Sequence, residues 1–136
     1  MNNTRFATII HILTILDKSP GKWLSSDSIA ESISINPAMV RKELSLLHKL
    51  GWVESKKGKE GGSALHISSC EISMADIFNA VKNSNVLGKK NKCADTKCPI
   101  AREINQELEK LFNETDQIVL DALKDKSLRT FVEHFD

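Results

Sequence analysis

The chain has 136 residues, 40% of them hydrophobic, and 19 Lys or Arg against 18 Asp or Glu give it a net charge of +1. That length holds one domain, or a small domain with an appendage, and the hydrophobic share is ordinary for a globular protein. No apolar run approaches the roughly 18–20 residues that cross a bilayer, no secretory leader pattern opens the chain, and three unevenly spaced cysteines make no disulfide framework.

A cytoplasmic protein without membrane contact is therefore expected. The near-neutral total hides an asymmetry, because residues 1–98 carry +5 and residues 99–136 carry −4. A basic body with an acidic C-terminal segment fits a body that meets a polyanion.

Residues 3–17 hold Phe6, Ile9, Ile10, Ile12, Leu13, Ile15 and Leu16 without Gly or Pro. They read as a helix apolar around much of its circumference, and so largely buried. Lys18–Gly21 stops it. Ser25 is placed to cap a short helix over 26–32, with Ile29, Ala30 and Ile33 inward. A tight link leads to Asn36, a cap, and Pro37, which suits a first helical position. In the helix that follows, Val40, Leu44 and Leu47 recur at core spacing. Ala38, Met39, Arg41, Lys42 and Ser45 form a small and cationic outer face near its start. Gly51 suits the left-handed position that ends a helix. Two helices joined by so short a turn make a helix-turn-helix, and small and basic groups at the second helix's start are what a DNA major groove admits.

Two alternating runs follow, at 52–56 and 64–67, separated by a glycine-rich tip, and they predict a β-hairpin. Lys56, Lys57 and Lys59, with Gly61 and Gly62, suit contact with phosphates, which contributes affinity more than sequence choice. A hairpin directly after such a helix is a wing. Ser73 to Asp76 resembles a capping box for a helix over about 74–83. Residues 84–98 have no period and are rich in lysine, with Cys93 and Cys98 among them. Pro99 opens a long helix over 99–124, in which Ile100, Ile104, Leu108, Leu111, Thr115, Ile118 and Ala122 step by three or four. At 1.5 Å per residue it would reach roughly 39 Å, longer than the small body beside it. A second copy of the same helix is the simplest partner for its stripe. Leu128, Phe131, Val132 and Phe135 suggest a last short helix that folds back or crosses to that partner.

The order of these features resembles the Rrf-type family of bacterial winged-helix transcription regulators. The resemblance rests on Pro37–Lys42, on the Leu46–Val53 junction, on Gly58-Lys-Glu-Gly-Gly62 in the wing, and on Ser73–Val81 ahead of the long helix. It covers nearly the whole chain. It implies a homodimer that binds double-stranded DNA and represses or activates transcription, and a repressor is the expectation. The segment from Asn91 to Ile100, followed by Asn105, is closest to the YwnA-like branch, which lacks an iron–sulfur cluster. Cluster-binding relatives carry three cysteines in this loop, and here there are two.

The expected fold is mainly α with a small β-hairpin. A winged helix-turn-helix domain occupies 1–83, a lysine and cysteine loop 84–98, and the dimerisation and terminal helices 99–136. Ile100, Ile104, Leu108, Leu111 and Ile118 would form the dimer seam. Cys93 and Cys98 have lysines beside them, and Cys98 precedes a helix start, a setting of positive charge that favours thiol reactivity. Two nearby thiols supply half of a four-ligand metal or cluster site, so no metal and no cofactor are expected. Incidental thiols, a thiol sensor and a metal or cluster sensor stay open. A winged-helix module that binds protein is the alternative to DNA. A redox enzyme is disfavoured, because the chain lacks both a CxxC motif and a glycine-rich nucleotide loop.

Overall fold

The first three helices, α1 (Arg5–Asp17), α2 (Ser26–Ile33) and α3 (Pro37–Lys49), build the body around which the chain closes. The computed structural model describes residues 4–92 and 97–135. Helix α1 is buried along Ile9, Ile10, Ile12, Leu13 and Leu16, as its nearly all-round apolar character requires. Ser25 caps α2 by accepting a hydrogen bond from the Ser28 amide at 3.1 Å. The turn into α3 is closed at Ser34, which has a φ of 65°. There the Ser34 and Ile35 amides both donate to the Ala30 carbonyl, at 2.8 and 3.1 Å. Ala30 itself is buried, so a small side chain lets the two helices approach.

Asn36 begins α3, its side chain accepting from the Ala38 amide at 2.8 Å with Pro37 at the first position. Val40, Leu44 and Leu47 face the core. Each fully buried aliphatic side chain of this kind contributes about 1.5–3 kcal/mol. Gly51 ends the segment at φ 79°, a conformation that glycine adopts without steric cost. One inward residue was not foreseen. Glu43 is buried on α3, and Arg5 at the start of α1 donates to both its carboxylate oxygens at 2.8 Å. That fork pins the N-terminus of α1 onto the middle of α3.

Strands β1 (Val53–Lys56) and β2 (Gly62–Leu65) pair antiparallel, from Val53 opposite Leu65 to Lys56 opposite Gly62. The second strand therefore starts two residues earlier than its alternation suggested. Leu24 is the reason. It pairs with Ser63 through bonds of 3.0 and 2.8 Å, adding a third line of backbone that draws Gly62 and Ser63 into the sheet. A 3-10 turn (Ser69–Glu71) then leads to α4 (Met74–Val81). Its capping box is complete, with the Asp76 amide donating to Ser73 and the Ser73 amide to Asp76, each at 3.0 Å. The helix stops at Val81, short of the expected 83, because Lys82 turns away to an ion pair described below.

Helix α5 (Pro99–Leu123) is 25 residues long, about 37 Å at 1.5 Å per residue. Helix α6 (Leu128–Val132) folds back within the chain. The Leu128 amide donates to the Ile72 carbonyl and the Met74 amide to Lys126, both at 2.8 Å. Leu128 and Val132 enter the same core as α1 and α4. Arg129 adds a hydrogen bond to the Ser69 hydroxyl at 2.7 Å and an ion pair with Asp17 at 3.5 Å.

Candidate nucleic-acid interface

Burying Val40, Glu43, Leu44 and Leu47 fixes the rotation of α3, because side chains on one helical face recur every three or four residues. Ala38, Met39, Arg41, Lys42 and Ser45 are thereby turned to solvent. Arg41 lies 3.8 Å from Asp27 and donates to the Ser26 hydroxyl at 3.4 Å. Both ionic side chains are well exposed, so this pair contributes little and leaves the guanidinium available to a stronger anion.

Beside this face runs the hairpin, and the two enclose a groove of about 500 Å³. Arg41, Ser45, His48 and Lys49 line it from α3, and Ser55 and Gly62 from the wing. Among the outer-face residues expected to meet DNA, Arg41 and Ser45 enter the groove, while Ala38, Met39 and Lys42 lie on the open face. His48 and Lys49 were missed by the sequence reading. Their spacing of three and four from Ser45 is the signal that would have found them.

At the wing, Lys56, Lys57 and Lys59 are all exposed. Gly61 and Gly62 are half-buried and have a reason of their own to lack side chains. A Cβ on Gly61 would strike the Lys56 carbonyl, and one on Gly62 the backbone of Leu24.

Two faces of α5 differ. Phe112 and Asp116 are buried, neither singled out by the stripe that the sequence offered. Asp116 is only 4% exposed. It accepts from Lys82 Nζ at 2.7 Å, Asn85 Nδ2 at 2.7 Å and the Val86 amide at 2.9 Å. Burial opposes its ionisation, but the Lys82 ammonium and the Val86 and Asn85 donors outweigh burial and hold the carboxyl below the usual carboxylate range. Further along, Asn105 donates to the Asn91 carbonyl at 3.0 Å and Lys90 lies 3.7 Å from Glu109. The segment from Lys82 to Asn91 is thus strapped along one side of α5. On the other face Ile100, Ile104, Leu111 and Ile118 are exposed, and Leu108 is half-buried. Cys98 is half-buried at the N-cap of α5, and Cys93 lies outside the described residues.

The family described as Rrf2, iron-dependent transcriptional regulator, matches residues 2–134. The chain is 32% identical over 134 residues to YwnA of Bacillus subtilis (strain 168), designated an HTH-type transcriptional regulator, with 98% of each chain covered. A solved structure described as that of a DNA-binding protein is 30% identical, with a TM-score of 0.72 over 92% of this chain and 96% of that one. A transcriptional regulator from Lactobacillus plantarum shares the fold at a TM-score of 0.80 and 24% identity, covering 93% of this chain and 85% of that one.

The iron of the family description finds no matching donor set in what the structure describes. Cys70 sits in the 3-10 turn and Cys98 at the start of α5, and no three His, Cys, Asp or Glu among the described residues are grouped to hold a metal ion. No helix among those residues is long and apolar enough to cross a membrane. With a helix-turn-helix, a wing and a family match along almost its whole length, the chain belongs to the Rrf2 family and is a DNA-binding transcription regulator of winged-helix fold.

Proposed function

We propose that this regulator acts in the cytoplasm as a homodimer that occupies its operator and represses transcription. In this reading α3 enters the major groove. Arg41 and Lys42 meet bases or phosphates there, while Ala38, Met39 and Ser45 allow close approach. Lys56, Lys57 and Lys59, together with Gly61 and Gly62, hold the flanking backbone from the wing. The observation that carries the reading is the shared groove. Arg41 and Ser45 on α3 and the strands of the wing open on one side of the molecule. Two reading heads joined through α5 suit half-sites about one helical turn apart, or a multiple of it. Occupancy of a promoter by such a dimer is enough to repress.

The test uses an operator selected from random duplex DNA. Arg41→Ala with Lys42→Ala should weaken binding to it strongly and leave the thermal midpoint almost unmoved, because both side chains are exposed. A bidentate arginine–guanine contact is worth about 1–3 kcal/mol of discrimination. Neutralising the three wing lysines should weaken all sequences alike and flatten the log-affinity against log-salt slope by about 0.9 per lost phosphate contact. Unchanged affinity and an unchanged salt slope in both variants would mean that α3 and the wing lysines are not the groups that meet DNA.

A thiol response is the finer part of the proposal, with Cys93 and Cys98 as its groups. It draws on Cys98 opening α5, so that a covalent change there bears on the dimer helix. Oxidised and reduced protein should differ in DNA affinity in wild type and agree in Cys93→Ser with Cys98→Ser.

A further inference from the structure

Glu43 is out of keeping with its place. It lies between Lys42 and Leu44 on the helix that meets a polyanion, yet it is a carboxylate, and its side chain is only 5% exposed. Arg5 meets it with two hydrogen bonds of 2.8 Å, one to each carboxylate oxygen. A bidentate fork of this kind neutralises the charge and fixes direction as well as distance. Stability alone does not account for it, because an apolar pair of similar volume is commonly at least as stable where an ion pair is buried.

The packing of α3 shows what the fork adds. Helix α3 packs mainly on α2 and β1, whereas α1 packs mainly on α2, α4, α6 and β2. Between α1 and α3 themselves, the fork accompanies the apolar side chains Val40, Leu44 and Leu47 in the shared core. Apolar contact is non-directional and resists a small rotation of α3 less than two aligned hydrogen bonds do. A rotation of about 10° moves a side-chain tip, about 5–6 Å from the helix axis, by about 1 Å. The distance window of a hydrogen bond to a base edge is about 0.5 Å wide. Glu43 is one residue from Lys42 and two from Arg41, so a hold at Glu43 is a hold on the turn that carries both.

We infer that Arg5 is a positioning residue for DNA recognition: through its fork on Glu43 it sets the rotation of α3, and so the aim of Arg41 and Lys42, without itself touching DNA. The inference rests on the reading that α3 enters the major groove.

The test removes the fork and keeps the fold. Arg5→Met with Glu43→Met replaces the pair by apolar side chains of similar length, leaves the net charge unchanged, and should keep the thermal midpoint near that of wild type. Affinities for the selected operator and for a scrambled duplex are measured where each protein is fully folded. Their ratio should fall about tenfold, within the worth of one base contact, while the slope of log-affinity against log-salt stays that of wild type. Arg41→Ala should cost less in this background than in wild type, because the contact it removes is already misaimed. Arg5→Lys keeps the charge and loses the fork. It should lose discrimination in the same direction, and it keeps the test decisive should the double variant not fold. Glu43→Gln adds a sign that charge alone cannot produce. Removing an acidic group near DNA should strengthen binding by electrostatics, whereas a lost hold on α3 weakens binding to the operator.

Wild-type discrimination in the folded fork variants, with an undiminished effect of Arg41→Ala, would reduce the pair to a structural bond and overturn the inference. An equal loss on both duplexes, with the salt slope flattened by about 0.9, would make Arg5 a direct phosphate contact and overturn it as well. If Arg41→Ala with Lys42→Ala binds the operator as wild type does, the α3 reading itself falls, and the inference with it.

Discussion

Asp116 and Glu43 are the side chains whose roles were hidden at the level of single residues. Both are carboxylates on helical faces that composition alone assigns to solvent, and both are buried against a cation. Each loses its charge partner at high cost, since breaking a buried pair leaves an uncompensated charge. For Asp116 the consequence has a pH signature. Its folded carboxyl binds a proton less readily than it does in the unfolded chain, where the value is about 3.9. The stability it contributes is therefore fully present above about pH 4 and lost as the pH falls through the lower, folded value. Urea unfolding of Asp116→Asn should show lower stability than wild type at pH 7 and a smaller further loss between pH 5 and pH 3. Parallel curves for the two proteins would mean that the Lys82 contact does not couple to folding.

Among the elements, the wing shows most clearly how backbone contacts discipline a pattern. Its glycines read as freedom at a tip, yet Gly62 is a strand residue at φ 152° pressed onto the backbone of Leu24. Gly62→Ala should break the Leu24 to Ser63 pairing and cost more than about 1 kcal/mol, as substitutions at positive φ without room do. The thermal midpoint should fall and DNA affinity with it, while the helix content measured by far-ultraviolet circular dichroism stays near wild type below the transition. An unshifted midpoint would show that the strand can yield there. In the helix-turn-helix, by contrast, the caps at Ser25 and Asn36 and the glycine at 51 were legible from residue type, because each serves a local hydrogen bond or dihedral.

For the whole molecule, α5 divides the chain's apolar surface between itself and something outside it. The side chains at 112 and 116 turn inward, and those at 111 and 118 turn out. Charges introduced at Leu111 and Ile118 meet solvent in a lone chain, but a dry seam in a dimer, where an unpaired charge is strongly unfavourable. Leu111→Asp with Ile118→Asp should give a folded monomer in analytical ultracentrifugation, with operator affinity reduced because two half-sites no longer act together. Phe112→Ala, on the buried face, should instead cost about 3–5 kcal/mol of stability. A folded dimer of the double aspartate variant would place the seam elsewhere.

The sequence by itself determined the order and kind of elements: helix-turn-helix, hairpin, capped helix, long helix, short last helix. Helical periodicity, N-caps and turn residues are local, so they can be read along the chain. It also marked which face of α3 is turned out, since Val40, Leu44 and Leu47 leave no other choice. What tertiary structure decided involves residues far apart in the chain. It set the Arg5 fork on Glu43, the Lys82, Asn85 and Val86 donors around Asp116, the pairing of Leu24 with Ser63, and the return of α6 onto α1. It also divided α5 into two stripes offset by one residue, Ile104, Leu111 and Ile118 against Phe112 and Asp116. An offset of one residue is about 100° on a helix, and only the packing of α4 and the strap from Lys82 to Asn91 selects which of the two faces is covered.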